Sequence, residues 1–106
     1  MGSSKEKSII TIVVQRKDGT AIIDAAAAAG VHGVTYFYAR GTGVRQRLGI
    51  LGRLIDAEKH VVMIAVPSAT AEKILTAIIS KTGLSKPGQI FAFIQPASFV
   101  YGILED

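Results

Sequence analysis

Absences set the first limits on this chain. Its 106 residues include no cysteine, no tryptophan, three prolines and two histidines. Without cysteine there is no disulfide framework, no thiol nucleophile and no thiolate metal site. His32 and His60 lie too far apart in sequence to form a metal-spaced cluster. No apolar run approaches the roughly 18 residues that a membrane-spanning helix needs. The opening Met1 to Lys7 is polar, unlike a secretory signal, so residues 1–7 read as a frayed tail and 8–106 as a single domain. With neither signal nor cysteine, the expected compartment is the cytosol. Acidic residues are also scarce, eight against twelve lysines and arginines, giving a net charge of +4. That balance, with a pI near 9.6, suits an anionic partner: a nucleotide, a nucleic acid or a membrane surface. What is abundant is apolar content, at 49%. With a mean hydropathy of +0.40, either the core is rich or apolar surface is buried between subunits.

Taken in order, Ser8 to Gln15 reads as a strand, β-branched and followed by the turn-former Asp18-Gly19. Ile10, Ile12 and Val14 point one way, Ile9 and Val13 the other. Thr20 offers an N-cap for an alanine-rich helix over Ala21 to Ala29, with Gly30 just past its end. Val34 to Arg40 is a second strand, with Tyr36 and Tyr38 on one face and Thr35, Phe37 and Ala39 on the other. A long glycine-rich stretch follows. Val61 to Val66 is a continuous apolar run, the mark of burial on both faces, closed by Pro67. Ser68 can cap the next helix, whose Ala71, Ile74, Leu75, Ile78 and Ile79 share a face and which ends at Gly83. Gln89 to Gln95 is the fourth strand, stopped by Pro96, and Ala97 to Leu104 suggests a short edge strand.

Strand, helix, strand, strand, helix, strand is the ferredoxin-like α+β pattern: a four-stranded antiparallel sheet with two helices on one face. Strands one, three and four are apolar on both sides, so the helix-free face must meet something, most simply a copy of itself. Burial of about 1,000 Å² or more would make such an oligomer obligate.

The pattern for catalysis is poor. Asp56 and Glu58 share a face of an extended segment and could do acid–base work, but beside Arg53 and Lys59 they read as an ion-paired surface. The chain is not expected to be an enzyme. Phosphate binding has more support. In Gly41-Thr42-Gly43, at a strand end, backbone N–H groups can converge on an anion, with Arg45 and Gln46 following. Lys86-Pro87-Gly88 is a second glycine-and-cation loop. Neither matches a full nucleotide-binding motif. Between Gly41 and Leu54 the arginines alternate with apolar residues, in a connection too long for filler.

Several short motifs, in order, resemble the PII signalling family. They are Gly30-Val-His-Gly-Val-Thr35, Gly41-Thr-Gly with Arg45-Gln46, Val66-Pro67, Glu72-Lys73-Ile74, and Thr82-Gly83 through Gly88-Gln89-Ile90-Phe91. The resemblance spans Ile9 to about Ile103. It implies a trimer of ferredoxin-like subunits, with an adenine nucleotide as effector in clefts between subunits rather than as a cofactor. It further implies a T-loop, residues 41–59, that docks on a target protein, and a B-loop, residues 82–89. By that likeness Thr35 and the backbone at Met63, Ile64 and Ala65 hold the adenine. Gly41, Thr42, Gly43, Arg45 and Gln46 meet the phosphates from one side. Gly83, Lys86, Pro87, Gly88 and Gln89 close on them from the other. Arg47, Leu48, Ile50, Leu51, Arg53 and Leu54 face the partner.

The departures carry information. Val44 is inserted between the glycines and Arg45-Gln46, and no tyrosine lies between Gly41 and Lys59, so the family's uridylylation is not expected. Gln89 stands where the family has lysine, and Val100 and Gly102 where it has arginines. Each missing charge-assisted contact is worth about 1.5–3 kcal/mol, so ADP and AMP should be favoured over ATP. Only Gln46 matches the 2-oxoglutarate site, and one match does not make that site. A small anion such as bicarbonate is a compatible second effector. A membrane transporter is a plausible target, which would bring the protein to the membrane edge. The rival readings are a nucleic-acid-binding ferredoxin-like module, suggested by Tyr36, Phe37 and Tyr38 with the basic pI, and a slow nucleotide hydrolase. The former lacks the expected aromatic signature.

Overall fold

The computed structural model describes residues 6–41, 57–86 and 88–102. Within them the chain forms β1 (Lys7–Gln15), α1 (Gly19–Ala28), β2 (Thr35–Gly41), β3 (Ala57–Pro67), α2 (Ala71–Thr82) and β4 (Ile90–Ala97). Short 3-10 turns at Arg16–Asp18 and Ser68–Thr70 lead into the two helices. The four strands make one antiparallel sheet in the order β2-β3-β1-β4.

Side-chain alternation sorts the residues. Ile10, Ile12 and Val14 of β1 and Val62, Ile64 and Val66 of β3 face the helices. There they pack with Ile22, Ala25 and Ala26 of α1 and Ala71 and Ile78 of α2. The alanines of α1 let its axis lie close to the sheet. On α2 the expected face is the buried one, while Glu72, Lys73, Thr76 and Ser80 are exposed. Gly30 and Gly83 both take positive φ at the helix ends, +92° and +73°, which side chains disfavour.

Among the described residues the other sheet face carries no helix. Phe37, Met63, Phe91 and Phe93 stand on it, with exposures of 47%, 37%, 64% and 37%. The strands are thus two-faced, as their composition suggests.

Several boundaries differ from the sequence reading. The first strand starts at Lys7, and β3 starts at Ala57 rather than Val61, because Lys59 and His60 pair with Gln15 and Val14. Glu58 pairs with Arg40 in the same extension. Thr20 is not the N-cap: a 3-10 turn precedes α1, and Asp18 occupies the cap position without a side-chain bond. Ser68 does not cap α2 either; its hydroxyl is 2.7 Å from that of Ser8. Pro96 does not stop β4, which continues to Ala97. An edge strand has a ladder on one side only, so it tolerates a residue without an N–H. No further strand forms from Ser98 to Gly102, where Gly102 has φ +88°.

Candidate nucleotide and effector site

Register fixes where the candidate residues lie. Tyr38, His60, Val14 and Ile90 stand level across the sheet. The ends of β2 and β3 that flank residues 42–56, the Arg16–Asp18 turn and the loop before Ile90 therefore all emerge at one end. Thr35 lies opposite Met63, midway down β3. Because β2 begins there, β3 from Ile64 to Pro67 has a neighbour only in β1. Its other edge is an open notch, where backbone groups are free of a strand partner. Met63 and Ala65 point to the helix-free face and are exposed, whereas the Ile64 side chain is in the core. At Ile64 it is the backbone, not the side chain, that borders the notch.

The candidate residues thus fall into two groups. Thr35, Met63 and Ala65 border the notch. Gly41 ends β2 and Gly83, Lys86, Gly88 and Gln89 lie in the α2–β4 loop, all toward the other end. Six residue steps of strand separate Thr35 from Gly41, about 20 Å at the usual rise. Thr42, Gly43, Arg45, Gln46 and Pro87 lie outside the described residues, as do Arg47, Leu48, Ile50, Leu51, Arg53 and Leu54.

The α2–β4 loop is closed upon itself. Gly83 N donates to Ile79 O at 3.0 Å and Leu84 N to the Thr82 hydroxyl at 3.4 Å. Ser85 N and Lys86 N both donate to Gln89 Oε1, at 3.2 and 3.0 Å. Gln89 N returns a bond to Lys86 O at 3.0 Å. Sequence reasoning assigned Gln89 to the loop but missed this side-chain staple. Its signal is an amide side chain three and four residues after the two N–H groups that it accepts from.

A second cluster, also missed, braces the base of β2 and β3. Arg16 Nη1 donates to Glu58 Oε1 at 2.6 Å, and its guanidinium lies 4.8 Å from the Tyr38 ring centre. The hydrogen bond and charge of Glu58 raise the Arg16 pKa above its ordinary value. One side chain from the β1–α1 turn so touches both strands. Glu58 is ion-paired, though with Arg16 rather than with a neighbour in sequence. Behind this pair His60 is buried, between Tyr36 at 5.1 Å and Tyr38 at 4.9 Å between ring centres. Neither imidazole nitrogen has a hydrogen-bond partner among the described residues. Tyr36 and Tyr38 face the helix side and Phe37 the other, so the three aromatics form no continuous stacking platform. Among the described residues no cluster of histidine and carboxylates could hold a metal, and no helix is long and apolar enough to cross a membrane.

Sheet order, helices and closed loop together define a ferredoxin-like α+β domain whose β1–α1 and α2–β4 connections emerge at one end of the sheet. Comparison with known proteins narrows this. The profile of the nitrogen regulatory protein P-II family matches residues 7–103, and the chain belongs to that family. No curated protein matches it. Among solved structures it is similar to Arabidopsis thaliana PII bound to citrate, with a TM-score of 0.65 and 20% identity over 89% of this chain and 79% of that one. Membership makes the chain a signal-transduction protein of a family whose trimers sense small molecules and act on target proteins.

Proposed function

We propose that this chain is a non-enzymatic, trimeric sensor of adenine nucleotides. It favours ADP or AMP over ATP, with a small anion such as bicarbonate as a compatible second effector. The T-loop, residues 41–59, presents the signal to a target protein, such as a membrane transporter reached from the cytosol.

The observation that carries this reading is the notch beside Thr35 and Met63. There an unpaired stretch of β3 backbone offers the donors and acceptors that an adenine edge requires. Gly41 and the α2–β4 loop lie farther from this notch, within one copy, than a mononucleotide reaches. A base at one notch and phosphates at a loop end fit best across a boundary between copies. The exposed Phe37, Met63, Phe91 and Phe93 supply an apolar surface for that boundary.

Calorimetric titration with AMP, ADP and ATP in turn tests the proposal. Saturation near one nucleotide per chain is expected, with ATP no tighter than ADP. Absence of heat with all three, on protein whose oligomer is intact, would reject a nucleotide effector.

A further inference from the structure

We propose that the Gln89 side chain is a built-in competitor for a phosphate group in the α2–β4 loop. Its carbonyl oxygen already occupies the two backbone donors, Ser85 N–H and Lys86 N–H, that a phosphoryl oxygen would take. The inference deepens the reading above, on which this loop meets phosphate.

The argument is one of donor accounting. From Gly83 to Lys86 every backbone N–H has an acceptor within the loop or the end of α2. Proline at 87 has no N–H to give. Only the Gly88 N–H has no partner among the described residues. The loop has the make-up of an anion-binding concavity: glycines of positive φ at 83 and 88 and an exposed Lys86. Yet its convergent donors are satisfied by the chain's own amide. Two N–H groups aimed at a single oxygen form the arrangement an oxyanion takes, and here a neutral carbonyl fills it. A phosphoryl oxygen accepts charge-assisted bonds, roughly twice as strong as neutral ones, so it can displace the carbonyl. It must first break two existing bonds, and that cost sets the affinity. Gln89 therefore tunes the loop in two ways, by lacking a cation and by occupying the donors.

The test uses Gln89→Met, which keeps length and neutrality but removes the acceptor, and Gln89→Glu, which keeps the acceptor and adds a negative charge. In ligand-free protein, amide exchange at Ser85 and Lys86 should be faster in Gln89→Met than in the parent. Inorganic pyrophosphate, followed by the amide shifts of those residues, should bind Gln89→Met about fivefold or more tighter, and Gln89→Glu more weakly. Equal or weaker binding to Gln89→Met, or no pyrophosphate binding to either, would overturn the proposal, leaving Gln89 a plain loop staple. Nucleotides separate the two ideas. If pyrophosphate binding rises in Gln89→Met while AMP, ADP and ATP bind neither protein, the nucleotide reading fails and this one stands. If ATP and ADP bind parent and Gln89→Met equally, this proposal fails and the nucleotide reading stands.

Discussion

Gly19 and His60 compete for one space: a Cβ on Gly19 would fall within bonding distance of His60 Nδ1. Gly19 has φ −61° and ψ −43°, which any residue adopts, so its lack of a side chain answers to packing. The ring cannot easily retreat, because Tyr36 and Tyr38 hold it from the β2 side.

Gly19→Ala should therefore destabilise the fold by about 2–3 kcal/mol through overpacking. Alanine's helix preference returns only about 0.5–1 kcal/mol. Adding His60→Ala should recover part of the loss, and a double-mutant cycle by urea unfolding measures the coupling. Additive effects would show that the two residues do not compete for space.

His60 buries two ring nitrogens without partners among the described residues. Unsatisfied buried polar groups are costly, and replacing them by apolar groups of similar size is near neutral or favourable. His60→Leu should keep or raise stability, by up to about 1 kcal/mol. A clear loss in denaturant midpoint would mean that those nitrogens have a partner in the assembled protein.

Phe91 and Phe93 lie 5.6 Å apart on the helix-free face of β4. If that face joins copies of the chain, Phe93→Asp should shift the protein to a smaller species by analytical ultracentrifugation, and nucleotide binding should be lost with it. Unchanged mass would move the subunit boundary elsewhere.

Thr35 and Met63 face each other at the start of the notch. Thr35→Val keeps the strand and removes the hydroxyl. Loss of one neutral hydrogen bond should weaken ADP and AMP binding by about two- to tenfold, with thermal stability almost unchanged. An unaltered Kd would take Thr35 out of the site.

Arg16→Ala provides a contrast. Its ion pair with Glu58 is exposed on both sides, where such pairs contribute little to stability. The melting temperature should not move measurably. Amide exchange at Tyr38 and Glu58, the residues of β2 and β3 that Arg16 touches, should rise. Unchanged exchange there would deny Arg16 any bracing role.

Periodic features were the legible ones. The faces of β1, β2 and α2, and the glycines ending both helices, follow from apolar spacing and backbone sterics, and the four-stranded order follows from their sequence. Chain ends of elements were less legible. Thr20 and Ser68 have the chemistry of caps, but 3-10 turns shifted each helix start. Pro96 has the chemistry of a terminator, but an edge position removed its penalty. Within the candidate site, sequence brought Thr35, Met63 and Gln89 forward by family likeness. It gave no hint of the Gln89 staple, the Arg16 brace or the burial of His60, since each depends on contact between segments far apart or on side-chain rotamer.

Pro96 has one more effect. β4 is an outer strand with a single neighbour, the kind of edge on which stray strands of other chains can add. A ring without an N–H in that row interrupts the template for such growth. Endless edge-to-edge stacking of copies is thereby disfavoured at β4. With Phe91 and Phe93 exposed on the same strand, that break in the edge guards against fibril-like aggregation.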